Sequence, residues 1–234
     1  NALGELVALR DARSQDVSFT YDSLGRLTSR SAPDGASTFA WGTSAAARNI
    51  GSLAAITAPG YAENYAYDAF GRLASRAIAS DASYQYDFAY DAFGLPASLT
   101  YPSTSPGNRF KLAFDYQAGQ PVRVRDANTG AVYWQAGARD AAANLLDESL
   151  GSAVRIISGF DPVTGSIDYR RTTAGGATVR DLGYEWDAAG NLKLRRDLRR
   201  GSVEEFRYDL LDRLDNVRKN GAVSLDLDYD LTGN

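Results

Sequence analysis

Aromatic residues alternate with smaller or polar ones along short stretches of the chain: Phe19-Thr20-Tyr21, Tyr65-Ala66-Tyr67, Phe88-Ala89-Tyr90, Phe114-Asp115-Tyr116, Tyr184-Glu185-Trp186 and Phe206-Arg207-Tyr208. In extended chain, residues two apart share a face, so each stretch turns two rings to one side and predicts a half-buried strand. Aromatic side chains also favour strands and pack well across neighbouring ones. Most of these stretches run into Asp-x-x-Gly, as in Asp22 to Gly25, Asp68 to Gly71 and Asp91 to Gly94. An Asp carboxylate can accept backbone N–H groups two residues on, and glycine supplies the positive φ of a type I turn with a following bulge. A second extended run follows, Arg26-Leu27-Thr28-Ser29-Arg30 or Arg72-Leu73-Ala74-Ser75-Arg76, with Leu27 and Leu73 turned inward. One unit therefore predicts a strand, a tight turn and a second strand.

The unit recurs. The clearest copies span Phe19 to Arg30, Tyr65 to Arg76, Phe88 to Leu99, Tyr184 to Arg195, Phe206 to Val217 and, cut short, Leu227 to Asn234. Weaker copies lie at Gly51, Gly119, Ala143 and Gly165, and Gly4-Glu5-Leu6 reads as the tail of another. The glycine slot falls at 4, 25, 51, 71, 94, 119, 143, 165, 190, 212 and 233, in steps of 20 to 26 residues. The expectation is a single array over 1–234 of about ten repeats, cut within a repeat at both ends. Single hairpins are marginal in water, so each should pair with its neighbours into one long, winding antiparallel sheet. The tyrosines are expected to stack as a ladder on one face, with Arg, Asp, Ser and Thr on a wet opposite face. Two alanine-rich stretches, Ser44 to Ile50 and Ala141 to Leu150, could each form a short helix, but the repeat phase runs through them and favours modified hairpins.

The residues expected to carry this architecture are the repeat positions. Tyr21, Tyr67, Tyr90, Trp186, Tyr208 and Tyr229 pack; Asp22, Asp68, Asp91, Asp187, Asp209 and Asp230 close turns; Gly25, Gly71, Gly94, Gly190 and Gly233 permit them; Arg26, Arg72 and Arg213 begin the outgoing strands. Tyr-Asp followed by Gly-Arg-Leu, as in YDSLGRLTSR and YDAFGRLASR, recurring at this period resembles the YD repeat of the RHS proteins. That family includes bacterial polymorphic toxins, shell components of insecticidal toxin complexes, wall-associated proteins and teneurins. The resemblance implies an all-β partial shell, a curved or spiralling sheet forming part of the wall of a secreted or cell-surface bacterial protein. Its partners would be the rest of the parent shell and the effector it encloses or presents. The self-cleaving aspartate site that often follows such repeats is not found: Asp161-Pro162 occupies an ordinary repeat turn.

Composition narrows the chemistry further. The chain of 234 residues has no Cys and no His, which removes disulfides, thiolate metal sites and the imidazole base of the usual catalytic triads. A formal net charge of −4 argues against nucleic acid as the main partner, and the local run Arg195, Arg196, Arg199 and Arg200 is diluted by Asp197, Glu204 and Glu205. No apolar run approaches the roughly 20 residues of a membrane span. Periodic turn aspartates single out no acid pair, so no catalytic residue, cofactor or metal is assigned. Asp226, Asp228 and Asp230 could share a strand face toward calcium, but no calcium-loop pattern surrounds them. Two further expectations concern partners: the periodic aromatics could instead bind glycans, and open sheet edges could drive self-association.

Overall fold

The computed structural model describes residues 1–103, 107, 109–230 and 233, and none of these is helical. Of the last predicted copy, Leu227 to Asn234, residues 231, 232 and 234 lie outside the described residues. Twenty antiparallel strands are arranged in two compact units, Asn1–Ala113 and Phe114–Asn234.

The first unit contains β1 (Ala8–Arg10), β2 (Asp16–Tyr21), β3 (Leu27–Ala32), β4 (Gly35–Trp41), β5 (Leu53–Ala58), β6 (Tyr61–Tyr67), β7 (Leu73–Ala79), β8 (Ser83–Tyr90) and β9 (Pro96–Thr100). Each pairs with the next in chain order, and β1 pairs with β2 alone among the described residues. β10 (Lys111–Gln117) begins in this unit, where Lys111 to Ala113 pair with β9.

The second unit continues with β11 (Gln120–Asp126), β12 (Val132–Arg139), β13 (Leu145–Leu150), β14 (Val154–Phe160), β15 (Ile167–Ala174), β16 (Ala177–Trp186), β17 (Leu192–Asp197), β18 (Ser202–Tyr208), β19 (Leu214–Lys219) and β20 (Ala222–Asp226). From β11 onward the pairing again follows chain order, and β20 pairs with β19 alone among the described residues. Both alanine-rich stretches are non-helical. Residues 45–48 are turn, and Leu145 to Leu150 form β13.

The hydrophobic interior is thin. Among the described residues only Ala113, Leu182 and Val217 are buried hydrophobic side chains, and none falls below 2% exposure. The chain exposes 15073 Å², against roughly 10,300 Å² expected of a compact monomer of its 25.2 kDa mass. Stability must therefore come from within the sheet, through ladders, turns and cross-strand pairs.

The register corrects one expectation. Phe19 stands opposite Arg30, Tyr65 opposite Arg76, and Tyr184 opposite Arg195. Cross-strand partners share a face, so the arginines lie among the rings rather than on the reverse side. The expected tyrosine ladder is replaced by rings interleaved with guanidinium groups, whose positive charge is attracted to the π-face and whose plane stacks on it. The ring–ring contacts, Tyr86 with Tyr101 and Tyr101 with Phe110, lie outside the repeat Tyr-Asp positions. The reverse face carries small hydroxyls, with Thr20 bonded to Ser29 at 2.7 Å and Thr38 bonded to Thr57.

Candidate functional site: the repeat clasp

Where the repeat turn carries the aspartate, it is built around it. Asp22 Oδ1 accepts the N–H groups of Leu24 (2.9 Å) and Arg26 (3.0 Å), and Oδ2 accepts Arg26 Nε at 2.7 Å. The Asp22 N–H donates to the Arg26 carbonyl, and the Gly25 N–H donates back to the Asp22 carbonyl. Asp68 with Phe70 and Arg72, and Asp209 with Leu211 and Arg213, repeat every one of these side-chain bonds. Asp91 keeps the two backbone bonds, to Phe93 and Leu95, where leucine replaces arginine. At Asp187 and Asp140 an asparagine amide, Asn191 or Asn144, reaches Oδ2 instead. Asp230 receives the Gly233 N–H on its carbonyl.

These bonds favour the ionised form of Asp22, Asp68, Asp140, Asp187 and Asp209. The Arg26 side chain and N–H keep Asp22 below the usual carboxylate range, and the N–H groups of Asn191 and Arg213 do so for Asp187 and Asp209. An acid locked in this form accepts hydrogen bonds and cannot serve as a proton donor near neutrality. Asp161 is the same: the N–H groups of Thr164 and Val163 lower it within its turn. Among the described residues no group of three or more Asp or Glu is placed to hold a metal ion.

All eleven slots of the sequence period have positive φ, including Ala143 (66°) and Asp212 (58°), where glycine is replaced. Gly71 has φ 75° and only ordinary contact distance, 3.6 Å, between an added Cβ and the Arg48 carbonyl. Gly71→Val is therefore expected to lose about 1–3 kcal/mol through backbone strain alone; an unchanged unfolding midpoint would refute that role. The converse substitution, Ala143→Gly, is expected to gain about 0.5–1 kcal/mol, the left-handed penalty less the entropy glycine loses. Thermal unfolding of the variant measures this, and a lowered midpoint contradicts it.

A second set of bonds joins one repeat to the one before it. The Tyr21 hydroxyl donates to the Leu6 carbonyl (2.9 Å), Tyr67 to Leu53 (2.6 Å), Tyr90 to Leu73 (3.0 Å), Tyr208 to Leu192 (3.0 Å) and Tyr229 to Leu214 (2.8 Å). Indole Nε1 does the same from Trp41 to Leu27 and from Trp186 to Ile167, both at 2.8 Å. The need for this bond is local. After the bulge at Thr20/Tyr21, Leu27 lies beyond the β3–β4 ladder, which runs only from Ser29 to Ala32. Its carbonyl would otherwise lack a ladder partner, a costly state if buried.

The arginine of the turn completes the clasp. Arg72, held by Asp68 at 2.7 Å, lies 4.2 Å from the ring centre of Tyr90 in the next repeat. Arg26 over Trp41 (4.9 Å) and Arg213 over Tyr229 (4.3 Å) are equivalent. Thus the ring's polar end and its face are both committed to neighbouring repeats.

One feature lies outside the repeat pattern. Glu63 on β6 is 4% exposed and shares its face with Tyr61 and Tyr65. Arg76 grips it with Nε at 2.7 Å and Nη2 at 2.6 Å, and the hydroxyls of Tyr61 and Tyr65 also donate to it. These donors, the Arg76 side chain foremost, hold its carboxyl down to about 2. Burial and the bond to Glu63 push Tyr65 up to about 12. The slot four residues before the Tyr-Asp tyrosine holds Val17, Tyr86 and Leu182 in other copies and a second acid in Glu204, which Arg195 binds across the strand.

Taken together, these turns and clasps define a class of protein: a tandem array of β-hairpins fastened repeat to repeat, with its polar groups committed to construction. RHS/YD repeats make up the matched parts of the chain: residues 1–37 and 67–106 match the RHS Repeat family model. No curated protein sequence matches the chain. Among solved structures it is similar to TcdB2-TccC3 and TcdB2-TccC3-Cdc42, each at TM-score 0.61 and 15% identity over 90% of this chain. The chain spans 13% of the length of those chains.

Proposed function

We propose that the chain is a non-catalytic structural segment of an RHS-type β-shell, which encapsulates or presents a toxin or effector domain of its parent protein. The observation that carries this reading is the clasp. The aromatic, aspartate and arginine groups that could have served chemistry are used, repeat after repeat, to satisfy backbone groups and one another. A catalytic centre is singular, whereas this arrangement is periodic. The single array over 1–234, with Tyr67, Asp68, Gly71 and Arg72 and their counterparts as its structural residues, is part of the proposal. So are a secreted or cell-surface bacterial setting and partnership with the remaining shell and its effector.

Single-particle electron microscopy of the intact parent tests the reading. A closed hollow shell with additional density inside supports it. An open sheet with its aromatic face in solvent sinks it, and makes glycan binding by the repeat aromatics the leading alternative.

A further inference from the structure

The basic run of β17 and its turn divides by face. Arg196 and Glu205 lie on the reverse side, where Arg196 holds Glu185 at 2.5 Å. Arg195 faces the other way, in one cross-strand row with Glu204 on β18 and Lys219 on β19. Beside it Asp197 stands opposite Leu182 on β16. Arg180, two residues before Leu182, shares that face, and the β17–β18 turn brings Arg199 and Arg200 to the same place. Together they line a hollow of about 340 Å³ with Leu182, 5% exposed, at its floor.

Five cations and two carboxylates meet there, and both carboxylates are already engaged. Arg195 Nε holds Glu204 at 2.6 Å. Asp197 accepts the N–H groups of Arg199 and Arg200 at 3.1 and 3.0 Å, with the Arg200 side chain 3.8 Å away. Arg180, Arg199 and Lys219 form no ion pair among the described residues. Arg199 is nonetheless fixed: its Nε donates to the Thr178 carbonyl at 3.1 Å, which leaves the terminal guanidinium nitrogens to a ligand. The sheet does not need these cations. Counted from the clasp aromatics, the places of Arg180, Arg199 and Lys219 are held in the first unit by Tyr61, Ser80 and Tyr101.

Charge selects the ligand. Five cations against two carboxylates leave a net charge of +3. A carboxylate offsets a third of that, whereas a phosphate monoester, at about −2 near neutrality, offsets most of it. Its oxygens also suit guanidinium donors, which bind phosphate in pairs of hydrogen bonds. A long polyanion is disfavoured, because the chain as a whole carries −4. We propose that this hollow binds a tetrahedral oxyanion, as free phosphate or as the phosphate group of a small ester, through Arg180, Arg199 and Lys219.

Isothermal titration calorimetry at low ionic strength tests the proposal on the chain and on an Arg180→Ala/Lys219→Ala variant, with inorganic phosphate, glucose 6-phosphate and acetate as probes. Both side chains are exposed, so the variant should keep the parent's circular dichroism and unfolding midpoint. The expected result is saturable binding of phosphate whose dissociation constant rises at least ~10-fold in the variant, as charge-assisted hydrogen bonds are lost. Tighter binding of glucose 6-phosphate than of phosphate would support the site as one for an ester, and the reverse order as one for the free ion. No saturable heat with either phosphate probe would overturn the proposal. Equal affinities in chain and variant would also overturn it, placing the anion elsewhere. Acetate bound as tightly as phosphate would overturn it too, since any single negative charge would then suffice.

Discussion

Glu63→Ala is expected to cost about 3 kcal/mol, the low end for removing one partner of a buried ion pair, because Arg76 is 39% exposed and can recover some hydration. The loss has three parts. Arg76 forfeits both of its bonds to the carboxylate, and the Tyr61 and Tyr65 hydroxyls lose their acceptor on a face with no deeper layer to repack. The carboxylate also stands opposite Ile56 on β5 and Ile78 on β7, so its removal opens space between two apolar neighbours. Denaturant unfolding of the variant measures the sum, and a midpoint equal to that of the parent would show that the network adds nothing.

The same group predicts a pH dependence with a definite sign. Its folded value, about 2, lies below the ordinary 4.5. The stability it contributes is therefore fully present above pH 4.5 and lost as pH falls toward 2. A shift of that size corresponds to roughly 3 kcal/mol, comparable with the mutational loss, as expected if ionised Glu63 is what Arg76 and the tyrosines recognise. Glu63→Gln should flatten the dependence between pH 4.5 and 2 relative to the parent. An acid limb identical in the two proteins would mean that other carboxylates control it. Asp22, Asp68, Asp187 and Asp209 are also lowered, but they remain partly open to water and are screened, so each contributes less.

Glu63 also shows where sequence reasoning stops. Alternation of Phe19 with Tyr21, or Tyr65 with Tyr67, tells which residues of one strand share a face, and the spacing of the glycine slots tells where hairpins turn. Ala143 and Asp212 take up positive φ in phase with the glycines, so the period speaks even where the residue type does not. Register between strands is different. Whether Tyr65 meets another ring or Arg76 depends on the bulge at Ala66/Tyr67, a one-residue matter that no periodicity within a strand encodes. That is why the sequence suggests a ladder of tyrosines and the structure holds an alternation of rings and guanidinium groups. The clasp from Tyr67 to the Leu53 carbonyl is hidden for the same reason, since it repairs a carbonyl left beyond the β5–β6 ladder. A further Asp turn at Asp11, with Ser14 at φ 62°, escapes the repeat pattern because it carries no glycine.

Gly42→Ala is the second large effect expected, a loss of about 3 kcal/mol, the upper range for overpacking a site that cannot relax. Trp41-Gly42 stands where other repeats have Tyr-Asp, so consensus reasoning would favour aspartate at this position. The geometry says otherwise. Gly42 is buried, its N–H donates to the Ser52 carbonyl at 2.7 Å, and its carbonyl accepts Gly51 N–H at 2.9 Å. A Cβ here would lie 2.1 Å from the Asn49 carbonyl oxygen, a backbone atom, and 2.3 Å from that residue's side chain. Asn49 in effect replaces the missing aspartate as the organiser of the turn. Its Oδ1 accepts the Ser44 N–H at 3.1 Å, and its own N–H donates to the Ser44 carbonyl. The insertion that lengthens this repeat to 26 residues thus folds back onto the space that an Asp side chain would need. Gly42→Asp should consequently lose at least as much as Gly42→Ala. Trp41→Tyr should be tolerated, because tyrosine reaches the same leucine carbonyl in five other repeats. If Gly42→Asp instead raised the unfolding midpoint, Asn49 would have to vacate its place, and the turn would be an ordinary Asp turn held open by its insertion.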